Sequence, residues 1–158
     1  GKFAGAVSYP AIIAKGATLF ATDAEFSDLT QAPGIDGKPV DATRLPLDRP
    51  VEDLVQLNGA DGTASLINRA GGYRVDMSWD AETLPSLIVW YSNRGRDFAP
   101  WDGRNLCVGI EPCSTAFGLS PALSAKPNPI SEAGTPTAVS LKAGEPLSIR
   151  YRIGVAPL

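Results

Sequence analysis

Tyr73-Arg74-Val75-Asp76-Met77-Ser78-Trp79-Asp80 decides the fold class. Tyr73, Val75, Met77 and Trp79 point one way, and Arg74, Asp76, Ser78 and Asp80 the other, because successive strand side chains face opposite sides of a sheet. This pattern predicts a half-buried antiparallel strand. Gly71-Gly72 turns the chain just before it, and Thr63 to Asn68 forms the preceding strand. Asn58-Gly59 and Asp61-Gly62 separate that strand from another over Val51 to Leu57. Leu87-Ile88-Val89-Trp90-Tyr91 is apolar on both faces and reads as a central strand.

Further along, the chemistry gathers around Leu106-Cys107-Val108-Gly109-Ile110-Glu111-Pro112-Cys113-Ser114-Thr115, which begins as a strand. Leu106, Val108 and Ile110 share a face that reads as core. Cys107, Gly109 and Glu111 share the other, where two small residues lead to a carboxylate and leave room for a ligand, the alternative being a glutamate that frays into a solvent loop. Pro112, which has no N–H for the ladder, is expected to end the strand. The loop Ser92 to Gly103 carries Arg94, Arg96, Asp97, Phe98 and Trp101. Towards the C-terminus, Ala138 to Leu141 reads as a short strand and Leu147 to Val155 as the last one. At the N-terminus, Ala11–Ala14 and Ala17–Ala21 read as strands around Lys15-Gly16. Two long turn-rich connections, Asp23 to Pro50 and Ser114 to Thr137, complete the chain. No internal repeat or amphipathic helix is apparent. Many short strands with turns between them predict an all-β, antiparallel β-sandwich as a single domain over residues 1–158.

Composition narrows the function. The 16 glycines and 14 prolines break the chain too often for long helices. A net charge of −3 gives no reason to expect nucleic acid or an anionic membrane as partner. No apolar run nears the roughly 18 residues of a membrane span. Two cysteines, Cys107 and Cys113, are too few for a disulfide framework and read as reduced thiols of a cytoplasmic protein. The chain has no histidine, which excludes Ser–His and Cys–His nucleophiles within it and leaves no ordinary zinc ligand set.

Several stretches, taken in order, resemble the C-terminal half of a galactose mutarotase-like domain of the aldose 1-epimerase family. They are Glu52-Asp53-Leu54-Val55-Gln56-Leu57, Leu84-Pro85-Ser86-Leu87-Ile88-Val89-Trp90-Tyr91, Val108-Gly109-Ile110-Glu111-Pro112 and Leu141-Lys142-Ala143-Gly144-Glu145 before the last strand. The resemblance covers roughly residues 50–155, and residues 9–30 more loosely. It implies a supersandwich fold, here a partial one, and an isomerase that interconverts sugar anomers by proton transfer, with no metal or organic cofactor. By matching position, Glu111 is the general base on the anomeric hydroxyl. Asp53, or Glu52 if the alignment slips by one, orients sugar hydroxyls.

The family's acid histidine is missing. The resemblance therefore implies either a fragment completed by a second polypeptide segment that bears it, or a carbohydrate-binding or interaction β-sandwich without turnover. The expected partner in both cases is a monosaccharide or related carbohydrate. Trp101 and Phe98 are candidates to stack on a sugar, or else to cap the sandwich. Cys107 shares the Glu111 face and is placed to line a pocket. Arg94 and Arg96, with Asp97 directly after them, read as a solvated face, with phosphate binding as the alternative. Trp79 and Trp90 lie on strands and read as core.

Overall fold

A computed structural model describes the backbone of residues 2–4 and all of residues 17–22, 24–117 and 120–158. Among the described residues strands account for 37% and helices for 8%, so the fold is all-β, the class that the alternation predicts. The strands are β1 (Lys2–Ala4), β2 (Ala32–Pro33), β3 (Pro39–Val40), β4 (Val51–Asn58), β5 (Thr63–Asn68), β6 (Tyr73–Trp79), β7 (Ser86–Asn93), β8 (Leu106–Cys113) and β9 (Tyr151–Pro157). Two single-turn helices, α1 (Pro121–Ser124) and α2 (Pro129–Glu132), lie between β8 and β9. Among the described residues no helix is long and apolar enough to cross a membrane. The chain divides into two compact units, Gly1–Asn58 with Ile88–Glu111, and Gly59–Leu87 with Pro112–Leu158.

The first unit is built on a sheet of order β1-β4-β7-β8, in which β1 runs antiparallel to β4. Val51, Val55, Val89 and Tyr91 are buried. Phe20 meets Tyr91 edge to face, with ring centroids 5.4 Å apart. The Tyr91 hydroxyl donates to the Ala42 carbonyl at 2.8 Å, so the buried phenol is satisfied. Asp53 belongs to this apolar side. Its Oδ2 accepts from the N–H groups of Leu19 (2.7 Å) and Phe20 (3.0 Å), and its Oδ1 from that of Leu54 (2.9 Å). Asn93 donates to the carbonyls of Leu47 and Arg49 and accepts from the Leu47 N–H, which holds down the end of the long 23–50 connection. That connection is itself ordered by the β2–β3 pair and a single 3-10 turn, Leu29–Gln31.

In the second unit β5, β6 and β9 pair antiparallel in that order. The register sets Val75 opposite Leu66 and Val155, and Met77 opposite Ala64 and Ile153, so the alternating apolar set falls on one face. On the other face Asp76 accepts from Ser65 and from Arg74. Trp79 is buried, as expected of it, and its indole N–H donates to the Leu84 carbonyl. Buried side chains organise the Pro-rich connection. Ser124 Oγ accepts from the Ala116 N–H, Thr137 donates to the Ser124 carbonyl, and Asn128 donates to Thr137 while capping α2.

Several expectations change. No strand forms over Ala138–Leu141, and the last strand starts at Tyr151, not Leu147. Over Ala17–Ala21 the chain makes only an isolated bridge, Phe20 with Gly34, and Ala11–Ala14 lies outside the described residues. Pro112 lies inside β8 and does not end it. β8 is an edge strand, where a missing N–H costs no ladder bond. Leu106 is exposed, as are Tyr151, Ile153 and Val155, because edge strands present residues of core type without a covering layer of their own.

Burial pushes the Asp53 carboxyl above its ordinary 3.8, against the pull of its three N–H donors and of Arg49. Its contribution to stability is therefore full below pH 3.8 and is lost as pH rises through the higher folded-state value. Asp53→Asn should gain on the wild type across that rise, read from urea unfolding at a series of pH values. Asp53→Ala strands three N–H donors and should cost about 3 kcal/mol. A loss below about 0.5 kcal/mol, within the range of a neutral surface change, would remove Asp53 from the packing argument.

Candidate functional site

The other face of the same sheet carries the polar groups. Glu52, one residue from Asp53 on β4, must point the opposite way. It is 2% exposed, and three donors meet it. The Trp90 indole N–H donates to Oε1 at 2.6 Å, Arg96 Nε–H to the same oxygen at 2.8 Å, and the Ser92 hydroxyl to Oε2 at 2.9 Å. Trp90 and Ser92 alternate along β7, so the parity of two neighbouring strands builds this cluster.

Arg96 is placed by its loop. A Cβ on Gly95 would lie 2.4 Å from the Val51 carbonyl carbon and 2.6 Å from the Glu52 nitrogen. Only glycine lets the loop backbone lie against β4 so closely, and this approach brings the next side chain to Glu52. The loop is then closed by main-chain bonds from Arg94 to Asn105 (2.7 Å) and from Gly103 to Arg96 (2.7 Å). The Arg96 guanidinium carbon lies 4.8 Å from the Trp90 ring centroid and 5.1 Å from that of Trp101. Two indoles and a carboxylate thus hold one cation by cation–π attraction and a charge-assisted hydrogen bond.

Glu111 completes the face. It is exposed, while Cys107 and Gly109, which precede it on the same side of β8, are half-buried. A Cβ on Gly109 would lie 2.7 Å from Glu111 Oε1 and 3.0 Å from Trp90 Cε3. Over Gly109, where no side chain intervenes, the Glu111 carboxylate and the Trp90 indole come together. Asn105 bridges the face from its end, with Nδ2 2.7 Å from Ser92 Oγ and 3.5 Å from Cys107 Sγ. Neither Cys107 nor Cys113 is in a disulfide.

The expected site residues therefore separate. Glu111, Glu52, Trp101 and Cys107 share one region of the first unit. Asp53 lies on the opposite, apolar side of β4, so of the two candidate sugar-orienting acids only Glu52 reaches the Glu111 face. Arg94 is exposed, and its main chain, at φ 61°, makes the turn out of β7. Arg96 is not part of a solvated face and Trp90 is not core. Both lie in the candidate site, against Glu52. The signal for Trp90 was weak: it shares its side of β7 with Ser86 and Ser92, but also with the apolar Ile88. Nothing local to the loop pointed Arg96 inward. Comparison of the chain with protein-family models, curated proteins and solved structures found no match.

Gly95→Ala should cost about 3 kcal/mol by overpacking against main chain that has nowhere to go. It should also red-shift tryptophan emission as Arg96 leaves the indoles. Gly154→Ala, where an added methyl meets nothing within 4 Å, serves as the neutral control. Equal stability of the two variants would mean that the close contact of loop and strand is not needed.

Proposed function

We propose that the first unit binds a free aldose on the face of Glu111, Trp90 and Trp101, and that Glu111 is the base of an aldose 1-epimerase-like anomerisation. The observation that carries this reading is the exposed Glu111 carboxylate set against the Trp90 indole, beside the anchored Glu52–Arg96 pair. An indole offers a flat apolar surface to the C–H face of a sugar, and a carboxylate beside it takes up hydroxyl protons. A neutral substrate of this kind needs no cofactor.

In the reaction Glu111 takes the proton from the anomeric hydroxyl, the C1–O1 bond gains its second pair, and the C1–ring-oxygen bond breaks. The ring oxygen takes up a proton. After rotation about C1–C2, the ring oxygen bonds to the opposite face of the aldehyde and gives its proton back to its donor, while Glu111 returns its proton to O1. The donor to the ring oxygen is water or a group on a second polypeptide segment, since the chain has no histidine and a guanidinium does not give up its proton at neutral pH. Glu52 does not compete as base, because its three donors already hold both oxygens. The lack of histidine favours a second reading, a carbohydrate-binding module that uses the same face without turnover.

Polarimetry of freshly dissolved α-D-glucose and α-D-galactose tests the proposal. The protein should accelerate mutarotation, and Glu111→Gln should lower that acceleration by about 100-fold or more with thermal stability unchanged. An active Glu111→Gln variant would remove Glu111 from the mechanism. Sugar binding with no acceleration would select the binding module.

A further inference from the structure

We infer that Arg96 is the specificity-determining donor of this site, and that its outer guanidinium nitrogens read two adjacent hydroxyls of an uncharged sugar. The inference rests on the sugar-binding reading of the same face and adds which group does the reading and which sugars are refused. Arg96 Nε is committed to Glu52 at 2.8 Å. Its two terminal nitrogens have no hydrogen-bond partner among the described residues, while 20% of the side chain is open to solvent. These are donors that are fixed in place and left unused.

The surroundings explain why they are well suited to a ligand. An arginine ordinarily loses much rotamer freedom when it grips a ligand. Here Glu52, Trp90 and Trp101 have already removed that freedom in folding, so binding need not do so again. The terminal N–H groups of a planar guanidinium present a pair of donors at a fixed spacing. Adjacent hydroxyls on a pyranose present a pair of acceptors, and the indoles that hold the guanidinium also supply flat apolar surface.

Charge decides the class of sugar. The buried Glu52 carboxylate offsets the guanidinium, and the exposed Glu111 leaves the cluster net negative. Arg94 and Asp97, both exposed on the same loop, offset each other. A phosphate or carboxylate on the sugar would therefore meet repulsion, and the phosphate reading of the loop arginines loses its support.

The test is a titration followed by tryptophan emission, with D-glucose, D-galactose, their 6-phosphates and their singly deoxygenated analogues. The wild type should bind the neutral sugars more tightly than the phosphates. One or two deoxygenated analogues should bind about tenfold more weakly, as for a lost hydrogen bond to a charged group. In Arg96→Lys, which keeps the charge and loses the paired donors, those same analogues should bind no more weakly than the parent sugar. In the wild type, side-chain nitrogen resonances give an independent readout: the Arg96 terminal groups should shift on sugar addition while Nε, held by Glu52, stays. Additive penalties, unmoved terminal resonances, or tighter binding of the phosphates would overturn the inference while sparing the sugar site. Failure of the wild type to bind any neutral aldose would overturn both.

Discussion

Two consecutive carboxylates, Glu52 and Asp53, are buried in β4 at 2% exposure each, and most of the first unit is arranged to make that tolerable. A buried charge without partners is far more costly than any single contact can offset. Because neighbours on a strand point to opposite faces, the two acids need separate solutions. Asp53 is met by main-chain N–H groups of Leu19, Phe20 and Leu54. Glu52 is met by side chains of Trp90, Ser92 and Arg96. A slip of β4 by one residue would exchange the two acids and leave both unpaired, so this pair also fixes the register of the strand.

The two solutions divide the work of the sheet. The Asp53 side ties incoming chain to the apolar layer of Phe20 and Tyr91. The Glu52 side is closed by side chains alone, and side chains that satisfy a carboxylate at one end can present another surface at the other. Trp90 gives its N–H to Glu52 and its ring to Arg96, with its edge over Gly109. Arg96 gives Nε and keeps its terminal nitrogens. The structural role of the cluster and the proposed binding role therefore use different atoms of the same residues.

Much of this was legible in the sequence. The strands β4 to β8 follow from alternation and from the turn residues between them, within a residue or two at each end. The choice between Glu52 and Asp53 was not legible, because each is equally compatible with an acidic residue before an apolar strand. It became decidable only when β7 placed Trp90 and Ser92 on one side. Arg96 was hidden for a different reason: Arg94-Gly95-Arg96-Asp97 has the composition of a solvated turn, and what turns Arg96 inward is the contact of Gly95 with β4, many residues away in sequence. The same limit applies to Tyr151, Ile153 and Val155. Their alternation marks a strand face, but periodicity does not say whether another layer covers it, and all three are exposed.

Glu111 is the counterpoint to Glu52. Both are glutamates on one side of one sheet, close to one indole, yet their surroundings suit them to opposite tasks. Glu52 is on the inner strand β4, with both oxygens taken, and holds the geometry. Glu111 is on the edge strand β8, which extends past it through Pro112 because an edge can spare an N–H. Gly109 beneath it removes the side chain that would otherwise fill the space between carboxylate and indole. A base must be open to its substrate and near a surface that fixes the substrate's pose, whereas an anchor must be closed on all sides. The position of each glutamate in the sheet order, inner or edge, separates the anchor from the proposed base.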